Sequence, residues 1–245
     1  MVTTNKWISN DVFNLEYETD SSIVLNIADL KRAYEVWEHA RSLIEKSESA
    51  FHLSDGITNL KRALNQRLQL IEKIYNFKNI NLKGKHKGYL ELLEFLGIVR
   101  PFLMKQLLTI RNDIEHRDAE PPSFEKCLEL LDAVWYFLKS TDYLVRYSTN
   151  TILFEEDNII PEDASWVELT YRFDIHKFNI RGRLSYDYVS DLPTENSFEM
   201  ECTVYDTDKT DMEVRGGEDF NYFDGELNIV DVEKTFLIKK FLLNF

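Results

Sequence analysis

This chain has few of the residues that build special-purpose scaffolds. Its two cysteines, Cys127 and Cys202, lie far apart in apolar-patterned segments. They read as buried thiols rather than a disulfide framework or a zinc site. Eight glycines and five prolines in 245 residues form no phosphate loop of the P-loop or dinucleotide type. There is no H-E-x-x-H and no paired C-x-x-C. No apolar run approaches the ~20 residues that cross a bilayer. The start, MVTTNKWISND, has no basic segment followed by an apolar stretch. These absences predict a soluble cytoplasmic protein of one large or two ordinary domains, without cofactor or metal and without a membrane partner.

What the chain does have is charge, unevenly placed. Residues 1–145 carry 19 bases and 21 acids, a net of −2; residues 146–245 carry 10 and 22, a net of −12. Between Lys61 and Lys105 ten bases face three acids, Glu72, Glu91 and Glu94. A local basic face can attract nucleic acid although the whole chain is acidic. Within it Lys83, Lys85, Lys87 and Lys105 are candidate substrate-binding residues, set against the plainer reading of solvated helix faces.

Periodicity divides the chain in the same place. Residues 1–27 are an N-terminal extension, with a short strand at Val12–Tyr17. About five helices follow as an up-down bundle over 28–148. The first is capped by Asp29 and the second starts at Ser54-Asp55-Gly56. A short third helix, Tyr89–Leu96, is closed by Gly97. The fourth begins at Pro101, with Leu103, Leu107, Ile110 and Ile114 as its buried stripe. The last is capped by Ser123 and runs to about Tyr147, with Phe124, Leu128, Leu131, Trp135 and Leu138 facing the core. Residues 149–245 alternate as an acidic antiparallel β domain. Its strands are expected at Thr151–Phe154, Trp166–Phe173, Phe178–Leu184, Phe198–Tyr205 and Thr235–Phe245, the last with a short amphipathic helix as the alternative. Turns are expected at His176-Lys177, Gly216-Gly217 and Asp224-Gly225. The fold class is therefore α+β. Asp206, Asp208 and Asp211 read as an acidic hairpin turn rather than a cation site.

Near the end of the fourth helix, before Pro121-Pro122, stands the string RNDIEH, Arg111 to His116. Arg supplies a planar fork of donors that fits phosphate oxygens. His can move a proton near neutral pH, and Asn can orient either. The spacing alone is weak. Twelve arginines and five histidines give about a quarter of a chance match at any one spacing, and Arg32 with His39 is another such pair. Asn112 and the proline stop set Arg111 apart. The competing reading is an ordinary i,i+4 surface pair of Arg111 with Glu115, and His116 as a helix-terminal cation.

Over residues 28–147 the string and its helical setting resemble the HEPN family, whose motif is R-x(4–6)-H with a polar residue after the Arg. The resemblance implies an often dimeric, all-helical, metal-independent endoribonuclease of bacterial phage defence or of a toxin–antitoxin system. It assigns the catalytic roles to Arg111, Asn112 and His116. A non-catalytic HEPN-like module that binds a protein or nucleotide is the alternative. Residues step 100° around a helix, so Asn112 and His116 lie about 40° apart and Arg111 and His116 about 140° apart. Two copies across a two-fold axis would converge these groups better than one chain does. The acidic 149–245 half is a poor RNA binder. It could take an inhibitor or sensor partner, or act as an electrostatic brake on RNA binding.

Overall fold

The computed structural model describes residues 3–21, 27–81, 88–156, 164–205, 220–229 and 231–243. It is a mixed structure of seven α-helices and one antiparallel eight-stranded sheet among those residues. The chain divides into two units: Ile23–Lys78 with Gly84–Ser148, and Met1–Ser22 with Asn79–Lys83 and Thr149–Phe245.

The sheet unit contains β1 (Thr3–Ser9), β2 (Glu16–Ser21), β3 (Thr149–Glu155), β4 (Trp166–Arg172), β5 (Lys177–Ser185), β6 (Val189–Ser190), β7 (Ser197–Tyr205), β8 (Phe220–Asn228) and helix α7 (Asp231–Leu243). The strand order is β2-β3-β4-β5-β8-β7-β1-β6. The N-terminal residues are thus not a separate extension. β1 pairs with β6 and β7, and β2 pairs with β3 from Glu16↔Glu155 to Ser21↔Thr149. The helical unit is an insertion between two strands that are neighbours in the ladder.

Alternation predicts these strands well because each has one dry face. Val167, Leu169 and Tyr171 are buried on β4, Phe178 and Ile180 on β5, Phe198, Met200 and Cys202 on β7. Three expectations fail. Val12–Tyr17 is not one strand: Asn10–Asn14 form a 3-10 turn that buries two consecutive side chains, Val12 and Phe13, which an alternating strand cannot do. Asp224-Gly225 is no turn but the middle of β8. A Cβ on Gly225 would lie 2.3 Å from the Glu201 carbonyl oxygen, so glycine is there for close strand approach. The C-terminal segment is helix α7, not a strand. Leu237, Ile238 and Phe241 recur at helical spacing and are buried, with the Phe241 ring 5.9 Å from Phe178 and 6.0 Å from Tyr171. The expected features at Asp206, Asp208, Asp211 and Gly216-Gly217 lie outside the described residues.

The sheet curls strongly. β3 and β7 are four strand spacings apart, about 19 Å on a flat sheet. Yet the Phe13 ring touches both Phe154 on β3, at 5.5 Å, and Phe198 on β7, at 5.6 Å.

The helical unit holds α1 (Ile27–Glu45), α2 (Ala50–Tyr75), α3 (Tyr89–Phe95), α4 (Phe102–Arg117), α5 (Phe124–Ser140) and α6 (Asp142–Arg146). Asp29 sits inside the first turn of α1 rather than capping it. α2 starts after Ser49, and Gly56 lies within it, where a Cβ would meet Ile44 of α1 at 2.5 Å. Gly97, at φ 81°, does end α3 as expected. The expected last helix is two, broken at Thr141, whose hydroxyl donates to the Phe137 carbonyl at 2.7 Å. Its core face holds the expected Leu131 and Leu138 buried and Leu128 and Trp135 packed half-buried against the core, and only Phe124 departs. Cys127, Leu130, Leu131, Val134, Phe137 and Leu138 are buried, whereas Phe124 is 39% exposed. No helix among the described residues is long and apolar enough to cross a membrane. Both cysteines are free and buried; burial pushes the Cys127 thiol up to about 11.

Candidate functional site

α4 carries the RNDIEH string in its last two turns. Met104 and Leu107 anchor the helix in the core, and Leu103, Ile110 and Ile114 pack half-buried against it. Asp118 ends it by turning left-handed, at φ 51°, so that its N–H donates to the Asp113 carbonyl. Asp is one of the few residues besides Gly that visit this region readily. The terminator is therefore Asp118, and Pro121-Pro122 come later. Ser123 then caps α5 through its Oγ, which accepts from the Lys126 N–H at 3.3 Å.

At the string itself, Asn112 and His116 are exposed on one face. Arg111 is half-buried, its side chain 17% exposed. Its Nη2 makes an ion pair with Glu115 Oε1, and its Nη1 donates to Asn112 Oδ1 at 3.2 Å. Its Nε is buried without a hydrogen-bond partner among the described residues. Asp113, on the other side, pairs with Arg117 at 3.1 Å. The structure thus brings Arg111 together with Asn112 and Glu115. The i,i+4 pair set out above as the competing reading is what a single chain forms.

The basic segment is less available than its composition suggests. Lys105 pairs with Glu91 at 3.0 Å and Glu94 at 3.7 Å, two of the segment's three acids. The hydrogen bond that Lys105 donates to Glu91 leads in raising its pKa. Lys73 pairs with Asp29 at 3.2 Å. Lys83, Lys85 and Lys87 lie outside the described residues.

Arg67 is not a surface base. It is fully buried, with Nη2 on Asp142 at 2.9 Å and Nη1 on the Leu138 carbonyl at 3.0 Å and Thr141 Oγ1 at 3.2 Å. Tyr34 donates to the same Asp142 at 2.8 Å. Burial and the neighbouring Asp142 carboxylate push the Tyr34 hydroxyl up to about 12. A signal for this was in the sequence. Arg67 continues the series Leu60, Ala63-Leu64, Leu70-Ile71, the core face of α2.

Compared with known proteins, the chain matches no family model, no curated protein and no solved structure.

Proposed function

We propose that the helical unit is a HEPN-type, metal-independent endoribonuclease that works as a dimer in the cytoplasm, in phage defence or a toxin system. The observation that carries the reading is the pairing of an exposed His116 and Asn112 on one face with a guanidinium one residue away, at the end of a helix anchored in a helical core. His116 acts as general base on the ribose 2′-OH or as general acid on the leaving 5′ oxygen. Arg111 stabilises the charge that develops on the phosphorus oxygens, and Asn112 holds a phosphate oxygen. Because positions 111 and 116 lie about 140° apart on one helix and Arg111 is engaged by Glu115, the reading has Arg and His from two copies share one groove. Residues 149–245 carry the acidic surface for an inhibitor or sensor partner.

A second reading has its own observation. Arg111 and Lys105 are both occupied by carboxylates of the chain, which suits a non-catalytic module that binds a protein or nucleotide. An RNA-cleavage assay in EDTA separates the two. Cleavage that falls about 10²-fold or more in Arg111→Ala and in His116→Ala, together with light scattering at twice the mass of one chain, is the expected result. No cleavage of any RNA by the wild type, or a clean monomer at micromolar concentration, favours the binding module instead.

A further inference from the structure

The Arg111 fork is half used. Glu115 engages it through a single oxygen at Nη2, while Nε on the same edge is buried and unpaired among the described residues. Two oxygens of a phosphate, placed along the Nε–Nη2 edge, would satisfy both donors at once. Glu115 is also a weak holder. In an i,i+4 pair the acid is better placed N-terminal to the base, and here the order is reversed. Glu115 stands two residues from the end of α4, where the helix dipole disfavours a negative charge. Its side chain is 30% exposed, so water can replace its contacts as it leaves.

We propose that Glu115 is a built-in competitor for the phosphate: its carboxylate occupies Arg111 in the free protein and is displaced when a nucleic-acid phosphate binds. The proposal rests on the ribonuclease reading of the same site and adds its regulation. The site is then closed to weak monodentate anions and opens to a ligand that offers two oxygens in the plane of the guanidinium.

The test is binding of a short, fluorescently labelled 2′-O-methyl oligouridylate, which cannot be cleaved, followed by anisotropy at fixed salt. Glu115→Gln should bind about fivefold tighter than wild type, the worth of one displaced ion pair of this kind. The gain should vanish when Glu115→Gln is made on top of Arg111→Ala, because the two residues are coupled. Glu120→Gln removes the same charge from an exposed position a few residues on and should change binding little. If Glu115→Gln binds no tighter while Arg111→Ala binds more weakly, Arg111 remains a phosphate site and the competitor is overturned. It is equally overturned if Glu120→Gln, or Glu115→Gln in the Arg111→Ala background, tightens binding as much, since the effect is then general charge. If Arg111→Ala binds as wild type does, the competitor is overturned, and the ribonuclease reading stands or falls on the cleavage assay alone.

Discussion

Arg67 shows what one buried charge does in this protein. Its guanidinium reaches Asp142, Thr141 and the Leu138 carbonyl across the α5–α6 break, and the Tyr34 ring lies 5.6 Å from its centre. Truncation leaves Asp142 without its nearest cation; Arg146 at 3.9 Å is the other. Arg67→Ala should therefore cost about 3–5 kcal/mol. The cost should appear as a lower urea midpoint read from Trp37 and Trp135, the two tryptophans of the helical unit. A loss under about 1 kcal/mol would show that water enters and solvates the Asp142 carboxylate left behind. The same cluster sets an alkaline limit. Tyr34 is raised to about 12 in the folded protein from an ordinary value near 10. The folded state therefore resists its ionisation, and the stabilisation, full below pH 10, is lost as pH rises from about 10 to 12. Tyr34→Phe should lose less stability than wild type over that window in parallel urea melts. An equal loss would place the alkaline sensitivity elsewhere.

At the scale of elements, strands with one dry face and helices with local caps were legible in the sequence. β4, β5 and β7 fall within about a residue of the alternation that announces them, and Ser123 and Gly97 act as the cap and stop that their chemistry implies. What failed depends on neighbours distant in sequence. The Asp224-Gly225 pair has the chemistry of a turn, but β5 and β7 flank it on both sides and hold it as strand. Its glycine allows the close approach of β7. Gly225→Ala places a methyl group against the Glu201 carbonyl and the Cys202 Cβ, at 2.3 and 2.6 Å. Because backbone must move, the substitution should destabilise the sheet unit by about 1–3 kcal/mol. Chemical denaturation followed through Trp7 and Trp166 would read it, and an unchanged midpoint would mean that β7 and β8 can separate freely. The site was legible in residue identity only. RNDIEH names Arg111 and His116, and helical spacing offers Glu115 as the partner that Arg111 takes, but the burial of the Arg111 Nε is set by side-chain packing that periodicity does not carry.

For the whole molecule the decisive fact is where the helices enter. The sequence changes character once, near residue 148, and suggests two units in series. The first strands instead close the sheet made by the last hundred residues, and the ladder pairs Ser21 with Thr149 at the point of insertion. Long-range strand pairing of this kind leaves no local signal, because β1 and β2 look like any short alternating segment. It also changes how the acidic half should be tested for braking RNA binding. Removing residues 149–245 would strip β1 and β2 of their partners and expose Ile8, Val12 and Phe13, all buried against the sheet. A cleaner cut follows the ladder. Replacing residues 22–148 by a two-residue Asn-Gly turn removes the helical unit together with the Asn79–Lys83 piece of the sheet unit and joins β2 to β3 as an ordinary hairpin, and adjacent insertion ends are those that tolerate such excision. The resulting chain should fold alone, with dispersed amide resonances, a single cooperative melt and strand-rich circular dichroism. Aggregation, or a disordered spectrum, would show that the sheet does not fold without the residues removed. If the excised sheet does fold, adding it to the intact protein at low and high salt shows whether its charge competes with RNA. A field effect should fade toward ~0.5 M salt, where the Debye length is only a few ångströms.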